Sequence, residues 1–396
     1  MLFRSVRGEL LALSPSAAAL QAAGAAGFSV LRESVSAELG THVVVLHAAR
    51  GTAHALARLQ ELDPAGVYDF NHVYTDSGAV GLAEPAAQPA PAPGAVARAP
   101  GAQGVSAIRV GLIDSGVDVT HEVFSGITVQ QHGCARAVPA EHGTAVASLM
   151  VGRASALHGA APGSALYAVD VFCGLPTGGA VDSVAEAFAW LVREQVPVIN
   201  VSLVGPPNRT LAGIVQNVLA RGHLVVAAVG NDGPAAPPLY PAAWPGVVGV
   251  TAVDARQQVL VEALRGAQVK FAAPGADMAA AGPHQGYALV RGTSFASPIV
   301  AGLLALELPT PDDSAASRRW LLWPRGQWIS GPRASIRSTA MDWWVRTCAG
   351  SRRSPGWEHV KSNPRKSPVL RKNSQRPVVV LGEGSRMGRG LERRRP

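Results

Sequence analysis

A chain of 396 residues, 47% hydrophobic and 16% charged, holds enough material for one large domain or two, each with a substantial core. No apolar run reaches the roughly 18 residues that a membrane span requires, so a membrane-spanning helix is not expected. The net charge of +8 does not mark a nucleic-acid-binding protein, because 19 of the 35 Lys and Arg residues follow Ser317, against four acids, and everything before that point is mildly acidic.

Residues 1 to about 75 alternate legibly. Glu9 to Leu13 reads as a strand, Pro15 to Ala25 as a helix of small residues, and Phe28 to Val35 and Thr41 to Leu46 as two further strands. Thr52 to Leu62 reads as a helix with Ala55, Leu56, Leu59 and Leu62 on one face, and Gly66 to Tyr74 as a last strand. The order strand, helix, strand, strand, helix, strand is the split βαβ pattern of a small α+β, ferredoxin-like domain, expected over residues 1–80. Such a domain says little about function by itself. Residues 81–104 are dominated by Ala, Pro and Gly, a composition that buries no core and behaves as an extended linker.

From Ile108 the texture changes. Ile108 to Ile113, Leu166 to Val171, Val198 to Leu203, His223 to Val229 and Val247 to Val253 are continuous apolar runs of strand length. Helix-like segments lie between them at Gly143 to Gly152, Val181 to Glu194 and Leu211 to Arg221. Strands buried on both sides and joined by helices predict an α/β domain over residues 105–316, with a mostly parallel sheet and helices on both faces. In such sheets the working residues collect at the carboxyl ends of the strands.

Four polar residues stand at strand ends or helix mouths. Asp114 ends the strand Arg109-Val110-Gly111-Leu112-Ile113, where a lone Asp is usually a turn former. His142 opens a small-residue helix in Glu141-His142-Gly143-Thr144, where a lone His is more often packed or capping. Asn231 follows a buried strand in Val229-Gly230-Asn231-Asp232-Gly233-Pro234, a strong turn sequence. Ser294 sits in Gly292-Thr293-Ser294-Phe295-Ala296-Ser297-Pro298 at the mouth of an apolar helix, where Thr293 or Ser294 could serve only as a cap. Taken together, the Asp, His and Ser are the parts of an orienting carboxylate, a general base and a nucleophile, and the Asn amide is a donor to an oxyanion.

These motifs resemble the subtilisin-like serine proteases, and they occur in that family's order, Asp before His before Ser, over about residues 105 to 308. The resemblance implies an endopeptidase in which His142 takes the proton of Ser294, Asp114 orients His142, and Asn231 with the Ser294 N–H meets the oxyanion. It implies a substrate strand laid against Ser202-Leu203-Val204, with Gly230 also lining the site. Val204 stands where the family often has Gly, which predicts a preference for small or apolar residues before the cut. No cofactor is expected for the chemistry. Calcium often accompanies the family, but no dense carboxylate loop is visible.

The first domain resembles the family's inhibitory pro-domain, which makes it the expected intramolecular partner, with the exposed linker as the place of processing. A monomer, secreted or periplasmic, is the family's expectation. Met1-Leu2-Phe3-Arg4 lacks a signal peptide's apolar segment, so an upstream signal is expected to be missing. The odd number of cysteines, Cys134, Cys173 and Cys348, argues against a disulfide framework, while a single Cys134 to Cys173 bridge stays open.

After Leu308 the family's second helix and closing Gly-x-Gly-x-Val motif do not appear. Residues 317–396 instead carry six of the eight Trp, an Arg, Pro, Ser and Gly excess, and no hydrophobic period. Met341-Asp342-Trp343-Trp344 must be encoded ATG GAY TGG TGG. Shifted by one base, this yields Gly-Leu-Val, preceded by codons that accommodate the missing motif. We read the tail as an out-of-frame translation, a matter for the gene sequence. An inactive subtilase-fold scaffold is therefore the alternative to a working enzyme. A lipase or esterase is disfavoured, because its serine would lie in Gly-x-Ser-x-Gly and precede both partners.

Overall fold

The computed structural model describes residues 4–48, 51–81, 108–282 and 285–312. The tail from 317, and the linker beyond Gly81, lie outside the described residues. In chain order the first part comprises β1 (Ser5–Leu13), α1 (Ala17–Ala25), β2 (Ser29–Ser36), β3 (Thr41–His47), α2 (Thr52–Leu62) and β4 (Val67–Asp76). This is the element order expected from the sequence. Ser16 caps α1 by accepting from the Ala19 N–H at 3.1 Å. The strands pair antiparallel in the order β4-β1-β3-β2.

The run Val43-Val44-Val45-Leu46 has no polar face because this sheet is covered on both sides. Val44 and Leu46 pack with Leu10, Leu59 and Tyr68 beneath the sheet's own helices, whereas Leu11, Val43, Val45 and Tyr74 join the core of the following domain.

The second part begins, after β5 (Ala79–Gly81), with β6 (Arg109–Asp114), β7 (Val129–His132), α3 (Glu141–Val151), β8 (Ala165–Asp170), β9 (Gly179–Ala180) and α4 (Val181–Arg193). It continues with β10 (Val198–Val201), β11 (Leu203–Val204), α5 (Arg209–Ala220), β12 (Leu224–Ala228), β13 (Val248–Val253), β14 (Val269–Pro274), β15 (Met278–Ala281), β16 (Tyr287–Arg291) and α6 (Thr293–Glu307). Seven strands form a wholly parallel sheet in the order β14-β13-β12-β10-β6-β8-β7. Helices α3 and α6 share one core cluster with one face, and α4 and α5 share the other, so helices cover both faces as expected.

The chain leaves β6 toward β8 and later returns through β10 on the other side. The strand order therefore reverses between β6 and β10, and a crevice opens at their carboxyl ends.

The expected strand at 198–203 is two pieces, β10 and β11, broken at Ser202. The short strands β7, β15 and β16 were not legible in the sequence. Each is only four or five residues long with exposed or half-buried positions, and although burial alternates along β16, its residues Tyr287-Ala288-Leu289-Val290 carry no matching apolar–polar alternation. Cys134 and Cys173 are joined by a disulfide, which resolves the bridge that the sequence left open.

The two parts meet along β4. Leu203 pairs with Asp76 and Val204 with Thr75, while Val73 and Tyr74 pair with Ala180 and Gly179. Tyr74 is 1% exposed, and its hydroxyl donates to the Pro206 carbonyl at 2.6 Å. Asp69 accepts from the Arg209 N–H at 2.7 Å at the start of α5, where a carboxylate is favoured by the helix dipole. Arg32 binds Glu9 and Asp182 at 2.6 Å, but it is 46% exposed, and such pairs contribute at most about 1 kcal/mol. The apolar face of the first sheet, Leu11, Val43, Val45 and Tyr74, and the strand pairing along β4 therefore carry the docking.

Candidate active site

Asp114 is the last residue of β6 and is fully buried. Its Oδ1 accepts from the Ser115 N–H at 2.7 Å and lies 2.8 Å from His142 Nδ1. His142 is the second residue of α3, and this helix start packs tightly on the turn after β6. A Cβ at Gly143 would come within 2.1 Å of the Ser115 carbonyl, so only Gly lets the helix approach that closely.

A carboxylate accepts only, so the Nδ1–H donates to Asp114. The neutral ring then carries its lone pair on Nε2, at the opposite edge. Burial pushes the His142 pKa down. The charge of Asp114, its hydrogen bond and the charge of Asp76 outweigh burial, and the net direction is upward.

Ser294 is the second residue of α6 and is fully buried. Gly292 at the helix start makes no side-chain cap, and Thr293 Oγ1 instead accepts from the Gly230 N–H at 3.1 Å. The capping alternative for these hydroxyls is therefore not what the structure contains. Pro298 has no N–H for the Ser294 carbonyl four residues earlier, and that carbonyl accepts from Ser202 Oγ at 2.9 Å instead. Asn200 Nδ2 donates to the same Ser202 Oγ at 2.9 Å.

Ser202 thus braces the start of α6 with its side chain, while the strand pairing expected of Ser202-Leu203-Val204 falls on Leu203 and Val204 alone. Gly230 lies buried beneath the cleft, with its N–H directed at Thr293.

The cleft is filled by the chain's own segment after β4. The Ser294 Oγ donates to the Ser77 carbonyl at 2.7 Å and lies 2.8 Å from Ser77 Oγ, with the Ser202 carbonyl at 3.2 Å. The Asn231 Nδ2 donates to the same Ser77 carbonyl, and Asn231 Oδ1 accepts from the Thr293 N–H at 3.1 Å. Asp114 is therefore bonded to His142, while Ser294 and Asn231 each donate to the Ser77 carbonyl. The bond from His142 Nε2 to Ser294, implicit in the sequence expectation, is not formed, and Nε2 is buried without a partner. The hydroxyl is turned to the Ser77 and Ser202 carbonyls instead. Catalytic hydrogen bonds are commonly open until reaction geometry is reached.

A cleft of about 490 Å³ flanks this segment, and Val204, Gly205, Asn231, Asp232 and Leu239 are among its walls. Leu239, 2% exposed, was not singled out in the sequence, where nothing distinguishes it from another apolar loop residue. The placement of Ser77 was also missed. The small pair Ser77-Gly78, directly after the last strand of the first domain, was its only trace.

Among the described residues, the grouping of His, Cys, Asp or Glu side chains close enough to share an ion is Cys134, Asp170 and Cys173. The two sulfurs are bonded to each other, leaving one carboxylate, and this does not fit calcium's need for many oxygen ligands. No helix among the described residues is long and apolar enough to cross a membrane.

Comparison with known proteins places the chain in a family. Residues 106–325 match the model of the subtilase family. Subtilisin of Bacillus pumilus is 33% identical over 218 residues, which cover 51% of this chain and 77% of that protein. M-protease of Shouchella clausii is 35% identical over 212 residues, covering 51% of this chain and 54% of its own. Among solved structures, fervidolysin from Fervidobacterium pennivorans, a keratinolytic enzyme related to subtilisin, aligns with a TM-score of 0.61. At 19% identity, over 76% of this chain and 54% of that one, it speaks to the fold alone. With more than half its length matched by the family model, the chain belongs to the subtilase family of serine endopeptidases.

Proposed function

We propose that the chain is a self-processing endopeptidase that cuts its own Ser77–Gly78 bond, with Ser294 as nucleophile, His142 as general base and Asp114 as the group that orients it. The observation that carries this reading is the Ser77 carbonyl, held between Ser294 Oγ and Asn231 Nδ2 directly after a strand paired to β11. Antiparallel strand addition is how an extended substrate is held, and here Thr75 and Asp76 occupy that place.

In the reaction the Ser294 oxygen bonds to the Ser77 carbonyl carbon, and its proton passes to His142 Nε2 after the hydroxyl rotates toward the ring. The oxyanion is met by Asn231. His142 then gives the proton to the Gly78 nitrogen as the C–N bond breaks, and water repeats the sequence on the acyl-enzyme, with no metal or cofactor in any step.

The N-terminal domain, with its strand order β4-β1-β3-β2 and two helices, is read as ferredoxin-like and as an inhibitor that blocks the cleft until it is released. We take residues 1–80, 81–104 and 105–316 as the pro-domain, linker and catalytic domain. The processing site then moves from the linker to the end of β4. A disulfide fits an oxidising destination, secreted or periplasmic, with the chain a monomer. No observation favours the inactive scaffold.

Mass spectrometry of the expressed full chain tests the reading. Fragments ending at Ser77 and beginning at Gly78, together with fluorophosphonate labelling of Ser294, are expected. An intact Ser77–Gly78 bond in a chain cut elsewhere would sink the proposed scissile bond.

Asn231→Ala is expected to slow that cleavage about 100- to 1000-fold, the loss typical of an oxyanion donor, a value taken from subtilisin itself. Loss of less than tenfold in a time course would remove Asn231 from the role. Ser77→Phe should slow processing about tenfold or more, because Val204 and Leu239 narrow the wall beside Ser77. Rapid cutting after the aromatic residue would refute the preference for small side chains.

A further inference from the structure

The segment beyond Ser77 does not leave the protein but adds a third strand to the β15–β16 hairpin. Ala79 pairs with Arg291, Val80 with Val290 and Gly81 with Leu289, all antiparallel. The chain is thus held on both sides of the Ser77–Gly78 bond, by β11 and β9 before it and by β16 after it. Two positions on the leaving side touch groups that restrict what can stand there. A Cβ placed on Gly78 would meet the Phe295 ring at 2.6 Å. That ring is fully buried and tilts against the His142 imidazole with centroids 5.2 Å apart, so it has little room to yield. Val80 is half-buried and packs against the core cluster that contains Val290, Met278 and Phe295.

We propose that the leaving side of the cleft is a strand-adding subsite on β16 that selects Gly at the first position after the cut and an apolar residue at the third. Phe295 enforces the first requirement and the Val290 side of β16 the second. The proposal rests on Ser77–Gly78 being the scissile bond. Pairing over Ala79 to Gly81 supplies sequence-independent main-chain affinity, and the Phe295 contact at Gly78 with the half-buried packing of Val80 supplies the choice, which is how strand addition divides affinity from specificity. A charged residue at the third position would face apolar packing without a partner. Substrates ending shortly after the cut would lose the added strand altogether.

The test is the rate at which the full chain converts itself to fragments 1–77 and 78–396, followed by mass spectrometry. Val80→Asp should slow conversion at least tenfold, the isosteric Val80→Thr should slow it less, and Val80→Ile should leave it near the starting rate. Gly78→Val should slow it at least tenfold, and adding Phe295→Ala to Gly78→Val should recover part of the loss. Thermal unfolding of each substitution in a Ser294→Ala background separates slow cleavage from poor folding. A slowed variant that melts with its parent supports the subsite. Equal conversion rates for Val80→Asp, Gly78→Val and the starting chain overturn it while leaving the Ser77–Gly78 assignment standing. A starting chain that labels with fluorophosphonate yet never cuts at Ser77–Gly78 removes the scissile bond and the subsite together.

Discussion

Ser294→Ala in the full chain should leave the Ser77–Gly78 bond uncut, with conversion slowed on the order of 10⁶-fold, as removal of the serine does in subtilisin. The size of the loss follows from the geometry. Ser294 Oγ lies 2.7 Å from the Ser77 carbonyl oxygen, and among the described residues it is the hydroxyl that donates to that group. What remains after the substitution is Asn231 and the strand pairing, which hold the bond without attacking it. Folding should be little affected, since one buried oxygen is lost and the brace between Ser202 and the Ser294 carbonyl is made by main chain on the α6 side. A comparable cleavage rate in Ser294→Ala, measured by fragment mass, would require a different nucleophile.

Asp114→Asn should lower the rate about 10⁴-fold, the loss recorded when a triad carboxylate becomes an amide and the imidazole is held in the wrong tautomer. It should also move the acid limb of the pH–rate profile. Burial lowers the His142 pKa, and the Asp114 charge and hydrogen bond, with Asp76, raise it past its ordinary value. Removing the Asp114 charge lets burial prevail, so the His142 pKa falls and residual activity should persist to lower pH than in the starting enzyme. An unchanged rate with an unmoved acid limb would show that Asp114 neither orients nor charges His142.

Much of this was legible in the residues because the relevant signals are local. The α2 boundaries follow from its period, and Asp114, His142, Asn231 and Ser294 each stand at a strand end or helix mouth that short motifs announce. The pairing of Asp114 with His142 was expected from motif order and is formed at 2.8 Å, whereas the bond expected between His142 and Ser294 is not, and the Ser77 carbonyl that Ser294 and Asn231 share was not foreseen. What was not legible depends on contacts between distant segments. The sheet of the first domain turns one face into the second domain's core, and only the unbroken apolar run Val43 to Leu46 hinted that this sheet has no solvent side. Leu239 reaches the cleft by a loop path with no periodic signature. Ser202 was expected to pair with substrate, but the absent N–H of Pro298 draws its hydroxyl to α6. Processing was expected in the linker on grounds of exposure; the scissile bond proposed here lies instead just after β4, because strand pairing lays the Ser77 carbonyl against Ser294.

The edge of β11 and the free edge of β16 opposite β15 have their partners only while residues 75 to 81 of the same molecule remain in place. Once that stretch departs, both become open edges that can dock any slack polypeptide with a small, pliable sequence. The first molecules to open should therefore consume denatured siblings before well-folded ones. In a dense preparation, the yield of finished enzyme would then fall with the fraction that misfolds.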